Sequence, residues 1–257
     1  MLQKDIDAIV EQCEVGRLLS WEELPLRHHN APYYALRTEC GRYFLKRYEH
    51  FTPNVDAGLD LITYLAGQGY PTVRVILNRG RMPHMGHDDT EVALFEFIDL
   101  PRTTAPARAH AAAIGDALGW LHATSAPFPI ADTFLGHAEF YRRFQALPDL
   151  SWAPSAAREA LSFMADLFPH LAASVRAGDA PIRICHQEFY LEHLRFDGAR
   201  LAKVIDWDLV GLDHAFHDLG TTMGEWVSDE MDFASLGALL DAYEARRPLT
   251  EWERGHL

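Results

Sequence analysis

The sequence is poor in cysteine: Cys13, Cys40 and Cys185 are the only three in 257 residues. An odd count at long spacings builds neither a disulfide framework nor a zinc knuckle, and it fits a reducing, cytoplasmic setting. A long apolar run is also missing. No stretch approaches the roughly 18 residues of a membrane span. The first residues, MLQKDIDAIVEQCEVG, carry acids and no apolar core, unlike a signal peptide. Positive charge is short: 23 Lys and Arg against 37 Asp and Glu leave a net charge of −14. A general nucleic-acid binder neutralises phosphates with clustered cations, so that class is set aside. A nucleotide site is not, since it needs only one or two local cations and a metal. The acidic balance also leaves room for a cationic small-molecule partner. Internal repeats and low-complexity tracts are lacking, and nothing in the sequence sets an oligomeric state.

What is present is enough apolar residue, 48%, for one large domain or two small lobes with a substantial core. Residues 1–20 have helical spacing, with Ile6, Ile9, Val10 and Cys13 on one side. PYYALRTE and GRYFLKRY alternate around Gly41 and predict a β-hairpin. VDAGLDLITYLAGQG predicts a helix ended by Gly67 and Gly69. TVRVILNRG and EVALFEFID predict two further strands, with MPHMGHDD as the loop between them. The first hundred residues thus read as a helix followed by β-β-α-β-β.

The remainder is mainly helical. AHAAAIGDALGWLHATS, residues 155–178 and DEMDFASLGALLDAYEARR carry the helical periods, and two short β-like runs, RICH and LAKVIDW, interrupt them. Thr250 followed by Glu253 predicts a capping box and a short final helix. The expected architecture is α+β. A β-rich lobe spans 1–98, a connector lies within Phe95–Thr104 and is taken as 99–104, and a helical lobe spans 105–257, with a cleft between the lobes.

Several residues can carry chemistry. Lys46 shares a strand face with Phe44 and can point into a cleft, although an edge-strand lysine looks the same in sequence. Asp206 and Asp208 follow an apolar strand at i and i+2, which projects both carboxylates from one side of an extended segment. They suit a metal, or are a turn acid and a surface acid. His186, Glu188 and His193 follow the RIC run. Glu188 can act as a base, the three together could be zinc ligands, or the loop is simply solvated. Asp218 can cap a helix or accept the backbone amides of that loop.

Taken together, a mid-strand lysine, His186-Gln187-Glu188-x4-His193, Ile205-Asp206-Trp207-Asp208 and Asp218 resemble the aminoglycoside phosphotransferase and choline kinase group, including its type II homoserine kinase-like members. In that group the loop reads His-Gly-Asp-x4-Asn, followed by Ile-Asp-[Trp/Phe/Tyr]-[Asp/Glu]. The resemblance extends from about Leu24 to about Leu249. It implies a protein-kinase-like two-lobe fold and ATP- or GTP-dependent transfer of a phosphoryl group to a hydroxyl of a small molecule. Lys46 is then implied at the nucleotide phosphates and the backbone of Glu96, Phe97 and Ile98 at the base. Glu188, with His186, is implied in catalysis. Asp206, His193 and Asp208 are implied at Mg2+, or at Mn2+, which tolerates the imidazole better.

Five departures accompany the likeness. Glu188 stands for an aspartate, which moves the carboxylate out by roughly 1.5 Å, where about 1 Å can cost on the order of 10²-fold in rate; an adjusted loop backbone is therefore expected. Gln187 stands for a glycine and His193 for an asparagine. Gly58 stands where a helix glutamate is expected to pair with Lys46, leaving Asp56 or Asp60 as substitutes. Finally, the chain stops at Leu257, so acceptor recognition is expected to be incomplete, open or supplied by a second subunit. The alternative reading is a pseudokinase that binds nucleotide or ligand without turnover.

Overall fold

The computed structural model describes residues 3–25, 33–48, 55–87, 90–105, 107–124, 154–155, 181–226 and 232–255. The helix expected over 155–178 lies almost entirely outside them. Helix α1, Gln3–Gln12, comes first. It is shorter than its helical period suggests, because Glu14 and Gly16 adopt φ of +54° and +79° and turn the chain into strand β1, Leu18–Leu24. Strands β2 (Tyr33–Thr38) and β3 (Gly41–Arg47) form the expected hairpin. Helix α2 (Val55–Gly67), β4 (Val75–Ile76), β5 (Met85–His87) and β6 (Thr90–Glu96) complete this half. β5 lies inside the stretch expected to be loop, and it pairs with β6. The sheet order is β1-β2-β3-β6-β4, and every pairing is antiparallel.

The period of two along β3 and β6 sorts their side chains between two cores. Leu45, Val92 and Leu94 pack with Ile6, Ile9 and Val10 of α1. Ala93 and Phe95, joined by Phe44, face the other way, toward Leu59 and Ile62 of α2 and the large second core. Lys46, adjacent to Leu45, is turned to that second face.

Helix α3, Arg108–Thr124, opens the second half. Then come β7 (Ile182–Cys185), a 3-10 turn (Leu191–His193), β8 (Leu194–Asp197), β9 (Arg200–Val204), β10 (Gly211–His214), α4 (Ala215–Gly224), α5 (Phe233–Arg246) and the one-turn α6 (Glu251–Arg254). β8 and β9 form a hairpin, and β10 pairs with β7; these pairings frame the loop that carries Glu188. The predicted capping box opens α6: Thr250 Oγ1 accepts the Glu253 amide at 3.1 Å and Glu253 Oε2 accepts the Thr250 amide at 2.8 Å.

Two glycines one turn apart let α3 and α5 touch backbone to backbone. A Cβ at Gly115 would stand 2.0 Å from the Leu239 carbonyl oxygen, and one at Gly119 2.7 Å from that of Tyr243. In an open helix Gly→Ala stabilises by about 1 kcal/mol. Here Gly115→Ala is expected to destabilise by about 3 kcal/mol, because backbone cannot step aside as a side chain does. Urea unfolding measures it; an unchanged midpoint would contradict the close approach.

Candidate functional site

Lys46 is 8% exposed and donates from Nζ to Asp208 Oδ1 at 2.6 Å and to Asp206 Oδ1 at 3.2 Å. Burial works against its charge, but Asp208 and then Asp206 outweigh burial and hold the ammonium well above its ordinary pKa. The rings of Tyr48 and Tyr33 each lie 5.4 Å from Nζ. Asp206 mirrors the arrangement: burial pushes its carboxyl up, Lys46 and then His193 pull it down, and it ends below the ordinary carboxylate range. Lys46 therefore finds its partners beyond β9. It does not find them on α2, where Asp56 faces His84 at 3.0 Å and Asp60 is exposed. At Gly58 a Cβ would meet Val210 Cγ1 at 3.2 Å, so a larger residue there would need that side chain to shift.

The two aspartates converge by a route different from the extended segment expected. β9 stops at Val204 and Asp206 lies at φ +64°, so a left-handed turn, and no strand, brings both carboxylates to Lys46. Gln187 repeats the theme at φ +68°. The loop has not relaxed away from the conformation that favours glycine; it holds a glutamine there, at a cost of about 1 kcal/mol or more. Asp218 holds it in place. Its Oδ2 accepts the His186 amide at 2.6 Å and its Oδ1 the Gln187 amide at 2.8 Å.

His186 is fully buried. Its Nδ1 accepts the Glu188 amide at 3.3 Å, so Nε2 carries the proton and donates to the Ile205 carbonyl at 3.1 Å. Burial lowers its pKa to about 4. Both ring nitrogens are thus taken by backbone, and the ring ties the residue bearing Glu188 to the residue before Asp206. Among the described residues the ring thus has the Glu188 amide on one nitrogen and the Ile205 carbonyl on the other.

His193 answers a different need. Its Nδ1 lies 2.8 Å from the Glu188 carbonyl oxygen. A carbonyl only accepts, so Nδ1 carries a proton. Nε2 lies 3.4 Å from Asp206 Oδ2. The ligand atoms of Glu188, His193 and Asp206 all fall within 4.8 Å of one another. Two carboxylates and one imidazole fit a divalent cation, with a softer ligand set than oxygen alone. Burial, then Asp206, raises the Glu188 pKa above its ordinary value.

A cavity of about 320 Å³ opens beside this cluster. Lys46, Asp206 and Asp208 line one part of it, Phe44, Leu59, Ile62 and Phe95 are among its apolar walls, and Glu96, Phe97 and Ile98 also border it. That volume suits a small ligand. Within the backbone expected at a base, two amides are engaged in the protein: Glu96 donates to the Arg74 carbonyl at 3.0 Å and Phe97 to that of Arg42 at 3.3 Å. The Ile98 amide is the one left for that task among the described residues. Arg195 also lines the cavity. Sequence reading missed it, because its place two residues after His193 is the only signal. Also missed was His122, buried against Asp218; a lone histidine on an Ala- and Leu-rich helix was its mark.

Among the described residues no helix is long and apolar enough to cross a membrane. The homoserine kinase of Caulobacter vibrioides (strain NA1000 / CB15N) is 26% identical over 269 residues, spanning 98% of this chain and 80% of its own. That of Methylobacillus glycogenes is 27% identical over 244 residues, spanning 93% and 75%. Among solved structures, the amicoumacin kinase hAmiN in complex with AMP-PNP, Ca2+ and Ami superposes with a TM-score of 0.72 at 15% identity, covering 97% of this chain and 82% of its own. Choline kinase LicA from Streptococcus pneumoniae gives 0.69 at 17%, covering 97% and 83%. These likenesses establish the fold as protein-kinase-like, an antiparallel sheet lobe joined to a mainly helical lobe. The model of the phosphotransferase enzyme family matches residues 20–256, and the chain belongs to that family.

Proposed function

We propose that the protein transfers the terminal phosphoryl group of ATP to a hydroxyl of a small molecule. The observation that carries this is the paired Lys46–Asp206–Asp208 group at a cavity of nucleotide-binding size, with Glu188 and His193 gathered beside Asp206. Lys46 would hold the phosphates. The Ile98 amide and the backbone of Glu96 would meet the base, ATP being favoured over GTP by the AMP-PNP and ADP bound to structural neighbours. Glu188 would orient the acceptor hydroxyl and take its proton. Asp206 would be the principal metal ligand, assisted by His193 and Asp208. The cation, when bound, supplies charge neutralisation between the phosphates. Residues 1–98 would form the nucleotide lobe, 99–104 the hinge and 105–257 the lobe carrying Glu188 and the metal ligands, in a cytoplasmic protein that does not bind nucleic acid.

Relatives named homoserine kinase favour a small amino alcohol as acceptor, and the acidic chain suits a cationic one. Incubation with ATP, MgCl2 or MnCl2 and a panel of homoserine, choline, other amino alcohols and aminoglycosides tests this. ADP formation that depends on one acceptor class supports it, and none with any of them refutes it. A raised Glu188 pKa and a histidine at the metal favour a second reading, binding without turnover. Nucleotide that raises the melting temperature while no acceptor is phosphorylated would select it.

The imidazole makes a further prediction. Wild type is expected to be stabilised more by MnCl2 than by MgCl2 in the presence of ADP, and His193→Asn to reverse that order. Thermal shift reads it without turnover; an order unchanged by the substitution would remove His193 from the metal.

A further inference from the structure

A line of buried polar groups runs from Asp218 away from the cavity. His122 Nε2 lies 3.3 Å from Asp218 Oδ2, and His122 Nδ1 lies 2.7 Å from the Tyr243 hydroxyl. Arg247 donates from Nη1 to that hydroxyl at 2.9 Å and from Nη2 to Glu253 Oε1 at 2.8 Å. Glu253 Oε2 accepts the Thr250 amide. His122, Asp218, Tyr243 and Glu253 are at most 1% exposed, and Arg247 7%.

The donors fix one direction for the whole line. A guanidinium only donates, so the Tyr243 oxygen accepts from Arg247 and spends its own proton on His122 Nδ1. His122 then carries its proton on Nε2 and gives it to Asp218. Burial lowers the His122 pKa and so keeps the ring neutral, as this pattern requires. Burial pushes the Asp218 carboxyl up, but the His122 hydrogen bond leads the contacts that bring it below its ordinary range. The close approach of α3 to α5 at Gly119 is what lets His122 reach Tyr243. Burying Arg247 against Glu253 costs desolvation that an apolar pair would avoid. What the polar pair supplies instead is the direction of the Tyr243 hydroxyl, and through it the tautomer of His122.

We propose that Tyr243, Arg247 and Glu253, none of which lines the cavity, are positioning residues. They orient His122 and Asp218, and Asp218 holds the amides of His186 and Gln187 so that the left-handed loop presents Glu188. The effect on turnover rests on the reading of Glu188 as the base; the effect on the loop does not. The test is amide hydrogen exchange of the full chain, wild type against Tyr243→Phe, with Ile9→Val in the α1 core as a control for general destabilisation. The Gln187 amide is expected to exchange at least ~10-fold faster in Tyr243→Phe, while β3 and β6 amides change no more than in the control. Where turnover is measured, kcat is expected to fall ~10-fold with the KM for nucleotide within ~2-fold. Arg247→Lys keeps the charge beside Glu253 but lacks the fork that serves both partners, and it is expected to show the same pattern if Tyr243→Phe does not fold. Loop exchange that only tracks the control overturns the proposal. Faster loop exchange in Tyr243→Phe, alongside a wild type that has no turnover, would refute the kinase reading and leave this one standing.

Discussion

Asp206→Asn is expected to lower phosphoryl transfer by about 10³-fold, roughly 4 kcal/mol of transition-state stabilisation, with little change in melting temperature. Asparagine is the substitution to use, because Asp206 lies at φ +64° and asparagine is among the few residues that tolerate that region. Shape and backbone are then retained while the charge is lost. Lys46 keeps Asp208 at 2.6 Å, so its ammonium stays paired and the β3–β6 core has no reason to loosen. What disappears is the carboxylate standing between Lys46 and His193. Initial rates at saturating nucleotide, alongside a thermal melt, separate the two effects. A variant that melts far below wild type would show that Asp206 mainly holds the fold together.

Glu188→Gln is the second large effect, a fall in kcat of about 10²- to 10³-fold, the range a positioned base contributes. Glutamine keeps the length and loses the ability to take a proton. The loop should not move, since it is held through amides: those of His186 and Gln187 by Asp218, and that of Glu188 by the His186 ring. Nucleotide affinity is expected to remain within a few-fold, because Glu188 does not line the cavity. A kcat that falls together with nucleotide affinity would point to a displaced loop.

The main sheet was legible because β3 and β6 alternate between two cores while β2 turns Tyr34 and Leu36 to one of them, and a period of two records that burial directly. β1 was not, because most of its residues are exposed and it carries no such period. β8 and β10, of four residues each, are too short to show one; pairing partners define them. At the site, the residue types of Lys46, Asp206 and Asp208 could be read off the chain, but not who pairs with whom. Lys46 and Asp206 lie 160 positions apart, and the left-handed turn that unites the two aspartates leaves no signature in an aspartate. His122 and Tyr243, 121 positions apart, meet only because two glycines bring their helices into contact. The ambiguity in HQEFYLEH narrowed through geometry of the same kind. His186 has backbone partners at both ring nitrogens, and His193 has Asp206 as its neighbour.

The most direct test of the account is the rate of acceptor-dependent ADP formation with Mn2+ or Mg2+, for wild type and Glu188→Gln under identical conditions. Wild type is expected to phosphorylate a small hydroxyl-bearing acceptor, and the variant to do so at a rate lower by at least about 10²-fold. Equal rates in the two proteins, or nucleotide binding with no acceptor phosphorylated by either, would contradict it.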